Sequence, residues 1–395
     1  MPAFYACIPR AQSIVLRPDF QGLPESVRRG ILGSHLAGEY AHMQPAASSP
    51  DLNPQWHALL ERSGAVFEAG RVQHFGKPAH ELRAAAQGDI LVDLSQLSVL
   101  RAHGIDAQDF LQGQFSNDIR QVTETRSQLS AYCNPKGRML AILRIFRHDE
   151  AYCLQLPAAL AEATLKRLRM FVMRAKVKID LADAELLRIG LSGPNAQRLV
   201  TEVLGTAPAA PDDGLAANGV TVLRLPGPHA RFVLVAAPER MLVLWPQLAA
   251  QSMPAGAATW AWLDIMAGIP TILPGTVEEF VPQMANLELV GGVSFTKGCY
   301  PGQEIVARMH YLGRLKQRMF RAHVETTEPP LPGTPVFAPD LPGQSTGSVL
   351  DAQPSPDGGY DLLAVVHLSS REAGALRLAK GTGPDLILKD LPYSE

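Results

Sequence analysis

Apolar and polar positions along this chain fall into short, regularly spaced elements. Helical spacing covers Pro54 to Ser63, with Asn53 placed to cap it. Asp89 to His103 alternates as strand material, and Gly104 turns the chain. Asp106 opens a short helix through Phe110, Leu111 and Gln112 that ends at Gly113. Leu129–Cys133 and Arg138–Phe146 read as paired strands, with Asn134-Pro135-Lys136-Gly137 as a type I turn between them. Tyr152–Leu156 is a strand, Ala158–Arg174 a long helix and Val177–Leu181 a strand. Strand, helix, two strands and helix follow, from Leu186 to Ala250. Long hairpins among βαβ-like units predict α+β layers in two similar halves, not a doubly wound sheet.

After Lys316 the pattern changes to short strands separated by Pro and Gly clusters. They begin at Met319, Pro335, Thr346, Leu362, Ala375 and Leu386, which predicts a small antiparallel β-barrel.

Composition narrows the class. At 395 residues the chain is long enough for two or three domains, and 46 % hydrophobic with 19 % charged residues is ordinary for a soluble protein. A net charge of −2 gives no chain-wide footprint for nucleic acid, so no direct nucleic-acid partner is expected. The basic run Lys166, Arg167, Arg169, Arg174, Lys176 and Lys178 reads first as a solvated face. Four cysteines (Cys7, Cys133, Cys153, Cys299) form no CxxC pair, so no metal site is expected, and their scarcity fits a reducing, cytoplasmic setting. No apolar run is long enough to span a bilayer. No GxGxxG or P-loop sequence occurs. Residues 1–50 are rich in Pro, Gly, Ala and Ser and lack periodicity, so residues 1–66 are expected to be a poorly ordered extension, with Met43 a reasonable true start.

The chemistry concentrates at Lys297-Gly298-Cys299-Tyr300-Pro301-Gly302-Gln303-Glu304, followed by Ile305-Val306-Ala307-Arg308. Pro301 suits a first helical turn and Gly313 a helix end, predicting a helix over Pro301–Leu312 with Cys299 just before it. A helix N-terminus and Lys297 would both favour thiolate. The residues alone leave two readings open: a reactive thiol and a buried structural cysteine.

The eight residues from Lys297 match every position of the pattern Lys-Gly-Cys-Tyr/Phe-x-Gly-Gln-Glu. In this they resemble the YgfZ-type folate-binding proteins, relatives of the glycine-cleavage T-protein, an aminomethyltransferase. Leu111-Gln112-Gly113-Gln114 with Asn117-Asp118, Lys136-Gly137-Arg138-Met139, and Phe280-Val281-Pro282-Gln283 with Asn286-Leu287 and Gly291-Gly292 are similar to further motifs of that family. The resemblance runs from about Leu91 to the C-terminus and implies a three-part ring. On it, residues 67–315 are the folate-binding α+β region and residues 316–395 the C-terminal β-barrel.

The resemblance also implies tetrahydrofolate or a derivative as cofactor, bound near Trp260 with polar contacts from Asn117, Asp118 and Gln114. It implies Cys299 as the functional thiol, with Lys297, Gln303, Glu304 and Arg308 shaping its surroundings. The implied role is upkeep of iron–sulfur proteins, including those that thiolate tRNA, by a monomer that meets its clients transiently. Three departures bear on this. The stretch matching the T-protein's catalytic carboxylates is Gly137-Arg138-Met139-Leu140-Ala141-Ile142, which cannot serve acid–base transfer. A second tryptophan that some relatives place near folate is Leu97 here, and a glutamate before Ala-Gly is Met266. The alternatives are a folate-dependent one-carbon transferase and, third, a tRNA-binding protein.

Overall fold

Three large, mainly antiparallel sheets and a two-stranded one appear in the computed structural model, which describes residues 53–394. Cys7, Met43 and the rest of residues 1–52 lie outside the described residues.

The first sheet has five strands in the order Gln128–Cys133, Met139–His148, Ala151–Pro157, Leu97–His103 and Lys178–Leu181. The helix Ala158–Val172 packs on it through Leu160, Ala161, Thr164 and Leu168, one side of a 3.6-residue repeat. The second sheet has six strands: Gly214–Ala217, Val220–Leu225, Ala230–Ala236, Leu187–Gly193, Ile90–Asp93 and Met253–Ala255. Only the last pair is parallel between neighbours, yet the strands on either side of the helix Ala158–Val172 are both antiparallel to Leu97–His103 and so run parallel to each other, as the expected βαβ-like units require.

Three residues, Leu94 to Gln96, carry the chain from Ile90–Asp93 in the second sheet to Leu97–His103 in the first. The two α+β portions are therefore interleaved rather than consecutive. The third sheet, the C-terminal portion, runs Arg377–Leu378, Pro335–Phe337, Ser345–Pro354, Tyr360–His367, Gln317–Val324 and Leu386–Lys389, all antiparallel. This is the α+β arrangement with a C-terminal antiparallel barrel portion that the sequence predicts.

The expected extension over residues 1–66 needs correction from residue 53 onward. Pro54–Arg62 is a helix, and Asn53 Oδ1 accepts from the N–H groups of Gln55 and Trp56 at 3.0 and 3.2 Å. Trp56 and Leu60, one turn apart, are fully buried. The Trp56 indole meets Trp245 edge-on at 5.4 Å, and its N–H donates to Asp93 at 2.9 Å. Apolar residues four apart gave this helix a face, and the second sheet's core covers it.

Candidate functional site

The helix after the cysteine runs Gln303–Tyr311 and starts later than expected. Gly302 takes a left-handed conformation (φ 82°), which ends any helical run from Pro301. Cys299 thus sits in irregular backbone ahead of a turn, outside the first helical turn where the helix end acts most strongly. Its side chain is exposed. Cys133 and Cys153 are buried, and desolvation pushes each thiol up to about 12.

Lys297 does not reach over the thiol from solvent; it is a buried staple. Its Nζ donates to the carbonyls of Gln112 (2.6 Å) and Phe115, and lies 5.0 Å from the centre of the Tyr300 ring. Burial lowers its pKa to about 8, with Asp118 opposing that shift. Gln303 Nε2 donates to the Lys297 carbonyl at 3.4 Å, while Glu304 and Arg308 are exposed on the helix. Gln283 Nε2 donates to the Val306 carbonyl at 2.7 Å, fixing the helix from below.

The early motif meets the cysteine loop directly. Asn117 Nδ2 donates to the carbonyls of Leu129 (2.9 Å) and Gly291 (2.7 Å), and its Oδ1 accepts from the Asp118 N–H. Ser116 Oγ donates to the Gly292 carbonyl, and the Ser294 N–H donates to the Ser116 carbonyl. Asp118 pairs with Arg120 at 2.7 Å, which lowers its carboxyl to about 2. Gln114 Oε1 is buried with no hydrogen-bond partner among the described residues. The hairpin turn Asn134–Gly137 also abuts this loop: a methyl added at Gly302 would lie 2.5 Å from the Asn134 carbonyl oxygen. On the outside, Phe295 stacks on His310 at 3.7 Å, with exposed Tyr311 edge-on to both.

Trp260 lies elsewhere. It lines a cavity of about 70 Å³ with Leu97, Leu129, Ile142, Gln155, Arg231 and Asp264. Its indole is 2 % exposed. The Arg231 guanidinium lies 4.0 Å from the ring centre, and the backbone at Gly190 packs against the ring. Arg231 is fully buried, pairs with Asp264 at 2.8 Å and donates to the Trp260 carbonyl at 3.1 Å. Asn117, Asp118 and Gln114 do not line this cavity. Of the three, Asn117 bonds the approach to the cysteine loop through the Gly291 carbonyl.

Comparison with known proteins decides the family. The GCVT N-terminal domain family matches residues 53–213. The tRNA-modifying protein YgfZ of Colwellia psychrerythraea is 30 % identical over 77 % of this chain and 93 % of its own length. The chain belongs to the YgfZ family. The YgfZ of Pectobacterium carotovorum is also 30 % identical, over 80 % of this chain and 97 % of its own length. The aminomethyltransferase T of the Bartonella henselae glycine cleavage system shares the fold, with a TM-score of 0.68 at 17 % identity, over 85 % of this chain and 96 % of its own.

In this YgfZ-family chain, sequence reasoning missed Arg231, Asp264 and Gln155. Asp264 follows Trp260 by four residues on the helix Ala257–Met266, a spacing that puts both on one face. Arg231 is a lone cation inside the apolar strand Ala230–Ala236, a detectable signal because buried cations need a partner. Gln155 gives no such signal; only the sheet register brings it opposite Arg144.

Proposed function

We propose that this chain is a folate-binding maturation or repair factor for iron–sulfur proteins that supports tRNA modification indirectly. The observation that carries the reading is the contrast among the described cysteines. Cys299 is exposed on a loop held from beneath by Lys297, Ser116 and Asn117, whereas Cys133 and Cys153 are sealed in the core. A pinned exposed thiol suits transient contact with a client's sulfur or metal. Gln303, Glu304 and Arg308 border it, with Glu304 and Arg308 free to meet a partner.

The residues around Trp260 fit a folate. Gln155 Oε1 is a buried acceptor without a partner among the described residues, Asp264 adds a carboxylate, and Leu97, Leu129 and Ile142 add apolar walls. These groups suit the N–H edge and flat faces of a pterin. Arg231 covers the indole, and the cavity of about 70 Å³ is below the roughly 300 Å³ of small ligand sites. Stacking on Trp260 therefore requires Arg231, which Asp264 pairs with where it stands, to leave the ring. A bound folate supplies one-carbon or pterin chemistry; the protein supplies orientation and exclusion of water.

Aminomethyl transfer is the alternative. No carboxylate occupies residues 137–142, so the proton transfer it needs has no group there. Profiling iron–sulfur enzyme activities and thiolated tRNA bases in a strain lacking its own family member, with and without this gene, tests the proposal. Restoration of both is expected; restoration of neither, with measurable one-carbon turnover by the purified protein, favours the alternative.

A further inference from the structure

A second cavity, of about 560 Å³, opens between the helix Pro78–Gln87, the helix Ala257–Met266 and the C-terminal sheet. That volume is within the range of small-molecule sites. Three cations line it: Arg83, Arg321 and Lys389. Arg321 and Lys389 face each other directly across the strands Gln317–Val324 and Leu386–Lys389. Like charges at directly opposed positions destabilise a sheet unless something neutralises them.

Among the described residues, none of the three cations pairs with a carboxylate. Arg321 has a buried Nε with no acceptor, and its neighbouring nitrogen reaches only the Met266 sulfur at 3.3 Å, a weak acceptor. Two carboxylates also line the cavity: Asp357, which is exposed, and Asp361, which is already committed. One oxygen accepts from the Trp262 indole N–H at 2.7 Å, and the other meets His323 Nδ1 at 2.9 Å. A buried guanidinium nitrogen left without an acceptor is costly, and the exposed Lys389 opposite adds a like charge. An oxyanion in the cavity would remove both costs at once.

We propose that this cavity is a binding site for a small, multiply charged oxyanion, held by Arg321 and Lys389 on the sheet and Arg83 on the facing helix. The chemistry common to phosphate and carboxylate ligands accounts for the three donors. The site is separate from the cavity at Trp260, whose lining it does not share.

The test is calorimetric titration of the full chain with inorganic pyrophosphate and, separately, with citrate. One-to-one binding of at least one is expected, weakening as salt is raised. Binding of pyrophosphate alone identifies a phosphate site, and of citrate alone a carboxylate site; either supports the proposal. Arg321→Leu should weaken binding about tenfold or more, the loss of a charge-assisted hydrogen bond. Arg83→Gln and Lys389→Gln change exposed side chains and serve if Arg321→Leu folds poorly; each should weaken binding severalfold. Arg62→Gln, a cation outside the cavity, should not. Absence of binding by both anions at millimolar concentration, or binding unchanged in all three cavity variants, overturns the proposal.

Discussion

Gly302 and Gly137 touch backbone to backbone: a methyl added to Gly302 would lie 2.6 Å from both the nitrogen and the Cα of Gly137. This contact joins the hairpin turn of the first sheet to the turn that follows Cys299. Gly302 also needs its left-handed conformation, which costs a side-chain-bearing residue about 1 kcal/mol or more. Gly302→Ala should therefore lower stability by about 2–3 kcal/mol, the sum of backbone strain and displaced packing. Gly298, four residues earlier, has open space around it, so Gly298→Ala should change the urea midpoint little. Equal midpoints for the two variants would remove the turn contact as a determinant of the loop.

Lys297 is the second fixed point. Lys297→Met leaves the Gln112 and Phe115 carbonyls without their shared donor, and should cost about 2–4 kcal/mol in chemical unfolding. The pH dependence has a definite sign. The folded amine titrates near 8 and the unfolded one near 10.5, so between these values the unfolded chain holds the extra proton. This group's contribution to stability rises with pH across that window, and the rise should be missing in Lys297→Met. Asp118 acts at the other end. Its folded pKa of about 2 lies below the ordinary 3.8, so the stability it contributes is lost as pH falls from about 4 toward 2. Asp118→Asn should flatten the acid limb.

Much of this was legible in the chain. The strands on both sides of Asn134–Gly137 and most of the C-terminal strands were marked by alternation and by Pro and Gly punctuation. The start of the helix after Cys299 was not. Pro301 is a good first-turn residue, but the approach of Gly137 selects a turn at Gly302, and that is a tertiary fact. Lys297 misled for a similar reason. A lysine two residues from a cysteine reads as its electrostatic partner, yet carbonyl oxygens 182 and 185 residues earlier in the chain capture the ammonium. Asn117 and Asp118, which the resemblance implies as folate contacts, form a turn, and Asn117 bonds the approach to the cysteine loop from it.

Truncation separates the chain's first 63 residues into two parts. A chain beginning at Met43 should keep the melting temperature of the full protein. One beginning at Gly64 loses Trp56 and Leu60 from the core, and with them several kcal/mol, since deleting a single large buried side chain costs about 2–5 kcal/mol. A Gly64 start with unchanged melting would show that this helix contributes nothing to the fold.

Titration with a reduced folate should quench tryptophan fluorescence, because stacking brings a pterin onto the Trp260 indole. Trp260→Phe should remove most of the quench while keeping the ring's packing volume. Asp264→Asn should weaken binding about tenfold, since it removes the carboxylate that lines the cavity. Undiminished quenching in Trp260→Phe would move the folate site away from this cavity.

The role of Cys299 is tested most directly by complementation. The wild-type chain, Cys299→Ser, Cys133→Ser and Cys153→Ser are each expressed in a strain lacking its own family member, and an iron–sulfur enzyme activity is measured at matched protein levels. Cys299 is exposed, so its serine variant should fold and bind folate normally yet fail to restore the activity, while the two variants of buried cysteines restore it wherever they fold. Full restoration by Cys299→Ser would contradict a functional thiol at this position.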